Sequence, residues 1–137
     1  MSILTEISLG EFLDKLTILQ IKAERISDDA KLRNITRELR MLEAAWDGSG
    51  RKRGNIETEL EELKTINGLL WDIEDKLRGK EARKEFDEEF IELARSVYFN
   101  NDKRARIKNS INLKLGSALV EEKSYTEYQD ELKSRDV

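Results

Sequence analysis

The sequence contains no cysteine, no histidine and no proline. Without cysteine there is no disulfide framework and no thiolate chemistry, and without histidine the commonest general base and zinc ligand are missing. Catalysis would therefore have to use carboxylates, lysine, tyrosine or a metal ion held by oxygen ligands. We predict no catalytic residue, no metal ligand and no cofactor.

Long apolar runs are also missing. No stretch approaches the roughly 20 apolar residues that a membrane-spanning helix needs, and residues 1–12 lack the basic region and apolar run of a signal peptide. We therefore expect a soluble, cytoplasmic protein with no membrane partner. The formal net charge of −4 also makes nucleic acid an unexpected partner, because nucleic-acid-binding domains are usually basic.

Charged residues make up 39% of the 137 residues, and the hydrophobic ones recur at intervals of three and four. That period is typical of amphipathic helices. We predict a single all-α domain over residues 1–137, an antiparallel helical bundle with a long helical hairpin. A flexible basic loop is expected at 47–55 and a fraying tail from about residue 130. Five to six helices are expected, at about 9–26, 29–46, 55–78, 87–98 and 102–115, with a short sixth helix beginning at Ser124.

Capping residues predict where several of these helices begin and end. Ser8 starts a capping-box pattern, Asp87 suits an N-cap, and Gly116 suits the position after a helix C-terminus. Gly79 predicts the end of the third helix. The polar run at 100–102 predicts a break between the fourth and the fifth.

The helix at 55–78 has the clearest pattern. Its apolar seam consists of Ile56, Leu60, Leu63, Ile66, Leu70, Ile73 and Leu77. A second row on the same helix consists of Asn67, Trp71, Glu74 and Arg78, which share a face because they lie three and four residues apart. This row could be a packing edge, with Glu74 paired to Arg78 or Lys22. It could also be one wall of a pocket in which Trp71 stacks on a planar ring and Asn67 reads its edge.

A second polar row follows near the C-terminus, and its members are Tyr98, Asn101, Arg104, Lys108 and Asn112. From Asn101 onward the row forms a cationic stripe that begins at an expected helix N-terminus, where free N–H groups favour an anion. Arg104 and Lys108 would supply charge for a phosphate or carboxylate. The alternative is a charged face that is simply solvated.

Two further patterns suggest other functions. The basic loop at 51–53 lacks the spacing of a phosphate-binding loop and favours a flexible connection, with local nucleic-acid contact as the alternative. Glu59-x-x-Glu62 and Asp72-x-x-Asp75 loosely resemble the paired carboxylates with which all-helical nucleoside triphosphate pyrophosphatases hold Mg²⁺. Both pairs fall on one predicted helix, about 15 Å apart by helical rise, which is too far to share one metal cluster.

Several stretches resemble an uncharacterised family of small helical proteins, namely EISLGEFLDKLTILQIKAERI, INGLLWDIEDKLR, FIELARSVYFNNDKRARIKNSIN and GSALVEEKSY. The resemblance covers the chain from about Glu6 to Tyr125. Members of that family occur in bacteria and their phages, sometimes appended to glycosyltransferase-like proteins. The resemblance implies a helical domain and implies no catalytic residues.

These patterns favour a non-enzymatic binding protein for an anionic small molecule, with a phosphorylated nucleotide or nucleotide-sugar as the expected ligand. The candidate ligand-binding residues are Lys15, Lys22, Asn67, Trp71, Glu74, Tyr98, Asn101, Arg104, Lys108 and Asn112. A homo-oligomer, dimer or higher, is expected because apolar seams of this length can pair between copies. Two alternatives stay open: a helical adaptor that docks another protein, and a Mg²⁺-dependent pyrophosphatase-like enzyme.

Overall fold

Four α-helices account for most of residues 1–128, which are the residues that the computed structural model describes. They are α1 (Leu9–Arg25), α2 (Asp29–Gly48), α3 (Glu57–Ala82) and α4 (Glu88–Leu115). No strand occurs among these residues, so the all-α prediction is confirmed. The prediction of five to six helices is wrong, since residues 1–128 contain four.

Ser8, Asp87 and Gly116 occupy the predicted cap positions, although only one of the two bonds of the capping box at Ser8 is present, since the Glu11 carboxylate bonds Lys108. The Ser8 hydroxyl accepts a hydrogen bond from the Glu11 amide at 3.1 Å, and the Asp87 carboxylate accepts one from the Phe90 amide at 2.9 Å. Each bond satisfies a donor that the first turn of a helix leaves free. Gly116 ends α4 with a φ of 65°, the left-handed conformation that glycine adopts without steric cost.

The helix break predicted at 100–102 does not occur. α4 is continuous through these residues and has a total length of 28 residues. The Asn100 side chain is buried and donates to the Ser96 carbonyl one turn earlier, at 2.8 Å. A carbonyl oxygen has two lone pairs, so Ser96 can accept this bond in addition to its helical one, and the helix continues. Two predicted helices are therefore one.

Two other predicted boundaries differ from the structure. The third helix was predicted to end at Gly79. In the structure, α3 passes through Gly79 and ends at Ala82. The segment 117–128 is not helical, so Ser124 does not start a sixth helix within the described residues. The fraying tail expected from about residue 130 lies outside them.

The helices pack around α1, whose backbone lies next to that of each of the other three, whereas the backbone of α2 lies next to that of α1 alone. α3 and α4 form a long hairpin. The core where all four helices meet consists of Leu13, Leu16, Trp46, Ile56, Leu63 and Ile111. This arrangement follows from the apolar residues of α1, which lie on more than one side of the helix.

Ion pairs at its two ends show that the hairpin is antiparallel. Lys114 near the end of α4 pairs with Glu59 near the start of α3. At the tip, the buried Lys80 ammonium donates to the Asp87 carboxylate at 2.9 Å and lies 3.3 Å from Glu89. Hydrogen bonding between Lys80 and Asp87 raises the pKa of the lysine and lowers that of the aspartate.

Candidate binding groove

Asp14 is a carboxylate buried in the centre of the bundle, with 1% of its surface exposed. Arg104 donates to it with two nitrogens, Nε to Oδ1 at 3.0 Å and Nη2 to Oδ2. Asn67 donates from Nδ2 to Oδ1 at 2.9 Å. These three residues come from α1, α4 and α3, so one buried charge ties together three helices. A buried carboxylate is tolerated only with such partners.

Asn67 is held in one orientation by this arrangement. Its Nδ2 also donates to the Thr17 hydroxyl at 3.0 Å, and that hydroxyl donates to the Asp14 backbone carbonyl at 2.8 Å. A carboxylate can only accept, so the amide nitrogen must face Asp14. The Asn67 Oδ1 therefore points away, and it has no hydrogen-bond partner within residues 1–128.

Lys108 completes what we call the Asp14 cluster, which consists of Asp14, Thr17, Asn67, Arg104 and Lys108. Its ammonium donates to Glu11 at 2.6 Å and to Glu121 at 2.8 Å, and lies 3.8 Å from Asp14. Burial alone would lower the pKa of Lys108, but the hydrogen bonds to the two glutamates outweigh burial and raise that pKa. The hydrogen bonds to Asp14 likewise raise the pKa of Arg104. Both side chains are thus firmly cationic.

An open groove of about 510 Å³ lies beside the Asp14 cluster, between α1, α3 and α4. We call it the Trp71 groove. Its lining residues are Ile18, Ile21, Asn67, Leu70, Trp71, Glu74, Asp75, Arg78, Asn101 and Arg104. Its volume falls within the range of about 300–1,000 Å³ that is common for ligand pockets.

The Trp71 groove has an aromatic wall and charges of both signs. The Arg25 guanidinium lies over the Trp71 ring, 5.9 Å from its centroid, which holds the ring in place. Arg104 uses Nε and Nη2 on Asp14 and keeps Nη1 without a hydrogen-bond partner among residues 1–128. At the rim, Arg78 lies 3.8 Å from Glu74 in an exposed pair. A ligand in the groove would therefore meet a flat apolar surface, fixed donors and fixed acceptors.

The structure brings half of the ten predicted site residues into the Trp71 groove. They are Asn67, Trp71, Glu74, Asn101 and Arg104. The two polar rows predicted from the sequence, one on α3 and one on α4, therefore face each other across it. Grouping the two rows in one site was a hypothesis, because helix spacing reports which residues share a face and does not report which faces meet.

The other five predicted residues lie elsewhere. Tyr98 belongs to an aromatic group with Phe99 and Tyr128, and Lys15 is exposed on α1. Lys22 is half-buried near the end of α1 and does not line the groove. Lys108 donates hydrogen bonds to the carboxylates of Glu11 and Glu121.

Asn112, the last of the five, fixes the start of α1 against α4. Its Oδ1 accepts a hydrogen bond from the Gly10 amide at 2.7 Å. A Cβ atom at Gly10 would lie 2.5 Å from the Lys108 backbone carbonyl, so only glycine permits this close approach. Asn112 therefore positions the helix that carries Asp14.

The sequence patterns did not identify Asp14, Glu11 and Glu121 as members of the site. One signal was present for Asp14, a carboxylate that stands among the apolar residues in the middle of α1. No signal marked Glu121, which lies in the non-helical segment 117–128 that we call the C-terminal strap. The strap also bonds α1 directly, because the Leu9 amide donates to the Ser117 hydroxyl at 3.2 Å.

One member of each acidic pair on α3 forms an ion pair with a basic side chain. Glu59 pairs with Lys114, whose hydrogen bond lowers the pKa of Glu59, and Asp72 pairs with Arg25 at 2.5 Å. Both acidic pairs lie on one unbroken helix, as expected. In the described part of the chain no three acidic side chains group closely enough to hold a metal ion.

The basic loop is anchored at its ends by contacts with the bundle. The Arg53 guanidinium lies 5.7 Å from the centre of the buried Trp46 ring. Ile56, which follows the loop, is fully buried in the core. These contacts give the loop a structural role as the link between α2 and α3.

The described residues thus define an all-α bundle with one mixed-charge groove at the meeting point of three helices. Residues 3–131 match a family of unknown function, DUF6165, and the chain belongs to this family. No curated protein and no solved structure matches it. Within residues 1–128, no helix has the length and apolar character needed to span a membrane.

Proposed function

We propose that the chain is a non-enzymatic binding protein whose Trp71 groove holds an anionic small molecule with a planar ring. A phosphorylated nucleotide or a nucleotide-sugar has both features. The observation that carries the proposal is that Arg104 faces the groove beside Trp71 while the buried Asp14 fixes its guanidinium from behind.

Preorganisation is the physical reason to favour binding at this position. A long arginine side chain normally loses rotamer freedom when it grips a ligand, at a cost of about 0.5–1.5 kcal/mol. The two hydrogen bonds to Asp14 have already removed that freedom. Trp71 is likewise held by Arg25. Stacking of a base on an aromatic ring contributes about 1–3 kcal/mol.

The hydrogen-bond acceptors of the groove narrow the range of expected ligands. The Asn67 Oδ1 has no partner within residues 1–128, and the carboxylates of Glu74 and Asp75 line the same wall. The two carboxylates would repel a phosphate, so we expect the phosphate of the ligand to lie against Arg104 and Arg78. All three acceptors could take a hydrogen bond from an exocyclic amino group of the base. Adenine, cytosine and guanine carry such a group, whereas uracil does not. We therefore expect bases with an amino group to bind more tightly.

The two alternative functions receive less support. A helical adaptor would need no cavity beside Trp71, and the groove there is open. A pyrophosphatase-like enzyme would need carboxylates that converge on a metal ion.

If the chain comes from a phage, the proposed protein would sequester a nucleotide signal of the host. Cytoplasmic localisation stays a prediction.

The proposal is tested by calorimetric titration with ribonucleoside monophosphates, ribonucleoside diphosphates and a uridine diphosphate sugar. We expect Trp71→Ala to weaken binding by about 5- to 150-fold, the equivalent of one stacked base. Arg78→Ala should weaken it by about 2- to 10-fold, the equivalent of one hydrogen bond at the rim. Arg106→Ala is the matched control, since Arg106 is an exposed arginine of α4 that does not line the groove.

Absence of binding by every compound would contradict the proposal. So would binding that is unchanged in Trp71→Ala, because the ligand would then occupy another surface. The stability of each variant is checked first by urea unfolding, so that loss of the fold is not mistaken for loss of the site.

A further inference from the structure

The distal part of the α3–α4 hairpin has no third helix packed on it. The buried core draws on residues 56–66 of α3 and 107–115 of α4, and no apolar side chain between Ile73 and Ile111 is buried. α1 ends at Arg25, which contacts Trp71 and Asp72. Beyond that level the hairpin is a pair of helices with half-exposed apolar residues. An isolated helix pair of this kind gains little from tertiary packing, which normally supplies most helical stability.

One face of α4 in this distal part alternates apolar and charged residues at heptad-like spacing. Its members, which we call the α4 stripe, are Glu88, Ile91, Arg95 and Tyr98. The intervals of three, four and three place them on one side of the helix. Ile91 is 54% exposed and Tyr98 42% exposed, and both charged members are exposed as well. The two exposed apolar residues of this row can pack against another helix, and the two charged residues can form ion pairs across such a contact.

We propose that the α4 stripe is the surface through which two copies of this chain form a dimer. The stripe is complementary to itself, because Glu88 and Arg95 have opposite charges and lie two turns apart. Two copies of α4 that cross antiparallel near Ile91 would place each Glu88 opposite Arg95 of the other copy. A two-fold axis generates this pair twice, as an isologous interface requires.

A second copy fits this surface better than an unrelated partner. An acidic or a basic partner would satisfy only one of the two charges and would leave the other facing a like charge. The Tyr98 ring, which contacts the Tyr128 ring of the C-terminal strap at 4.9 Å between centroids, extends the apolar part of the surface. The proposal does not depend on any ligand in the Trp71 groove.

The expected dimer is weak. The stripe from Glu88 to Tyr98 spans about 15 Å at the rise of an α-helix, so the interface falls at the lower end of the size range for specific complexes. We therefore expect a monomer–dimer equilibrium that shifts towards the monomer on dilution. Sedimentation velocity over a concentration series from micromolar to millimolar measures the dissociation constant.

Three variants test the surface. Ile91→Glu should raise the dissociation constant by at least about 30-fold, as expected for a central interface residue. Glu88→Arg should raise it by about 10-fold or more, because like charges would then oppose each other. Combining Glu88→Arg with Arg95→Glu should restore dimerisation to within about 3-fold of the wild type, since the complementarity returns with reversed sign.

Leu113→Glu is the matched control. Leu113 is an apolar residue of α4 that is 80% exposed, and it lies at the other end of the helix. This variant should dimerise as the wild type does. The proposal is overturned if the wild-type chain stays monomeric throughout the series, or if the double charge reversal dimerises no better than Glu88→Arg alone. Circular dichroism of each variant confirms that the helices are retained.

Discussion

Asp14 is the residue on which the site depends. Its carboxylate is buried, and it accepts hydrogen bonds from a residue of α3 and a residue of α4. Burying a charge of this kind is costly, and the compensation comes only when every partner is in place. The same hydrogen bonds that stabilise Asp14 hold Arg104 and Asn67 in fixed positions at the groove. Stability and the geometry of the site therefore have a common origin.

Removing Arg104 should expose this dependence. We expect Arg104→Met to reduce the free energy of unfolding by about 3 kcal/mol, the lower end of the range for breaking a buried ion pair. The lower end applies because Lys108 still lies 3.8 Å from Asp14. Combining Asp14→Asn with Arg104→Met should recover more than half of the loss, since no buried charge is left alone.

Urea unfolding, monitored by circular dichroism, measures these differences. Arg106→Ala is the control on the same helix. A double variant that is less stable than Arg104→Met would show that the carboxylate is not the source of the loss. The pair would then contribute through packing alone, and the preorganisation of Arg104 would lose its explanation.

At the residue scale, the sequence patterns predicted half of the groove. Spacing on one helix placed Asn67, Trp71 and Glu74 on one face, and spacing on another helix grouped Asn101 with Arg104. The partner of Arg104 could not be predicted, because Asp14 lies 90 positions away along the chain. A local pattern carries no information on which distant side chain neutralises a charge. For the same reason Lys108 was predicted as a ligand residue although carboxylates already engage it.

α4 is the element whose behaviour differed most from expectation. Its polar run at 100–102 has the composition of a helix break, yet the helix continues because Asn100 bonds within it. α4 also carries two distinct surfaces. One side holds Arg104 and Lys108 against α1, and the other carries the exposed α4 stripe. Whether a row of residues on α4 faces the core or the solvent depends on the packing of α1, which spacing along one helix does not predict.

The C-terminal strap is tied to α4 by Glu121, and that tie should depend on pH. The hydrogen bond from Lys108 lowers the pKa of Glu121 below its ordinary value of 4.5. The glutamate therefore contributes stability that is fully present above pH 4.5 and is lost as the pH falls through its lowered pKa. At neutral pH, Glu121→Gln should cost about 0.2–1 kcal/mol, because the pair is partly screened by solvent.

Unfolding by urea at neutral pH and at several values below pH 4.5 tests this dependence. The difference between wild type and Glu121→Gln should shrink towards zero as the pH falls, because the protonated glutamate resembles glutamine. A difference that stays constant across the acid range would show that the ion pair with Lys108 does not hold the strap. Glu122→Gln, an exposed neighbour on the strap, is the matched control.

At the scale of the whole molecule, the structure has two unequal parts. In one, four helices enclose the core around Leu13 and Leu16. In the other, the hairpin extends beyond α1 without a core of its own. The Trp71 groove lies where the two parts meet, next to the end of α1. Apolar residues at helical spacing were thus enough to predict the class of fold. The unequal lengths of the helices could not be predicted, because they depend on where each helix ends.

The central claim is that the Trp71 groove binds a nucleotide-like anion, and the fluorescence of Trp71 reports on it directly. Trp46 is the only other tryptophan, and its buried ring contacts Phe12 with 6.2 Å between centroids. Trp46→Phe therefore keeps an aromatic residue in the core and leaves Trp71 as the only tryptophan. Titration of this variant with a nucleotide that carries an amino group should give a saturable change in Trp71 emission, reversed by excess salt. An emission spectrum that stays unchanged to millimolar nucleotide, in a variant that is folded, would contradict the account.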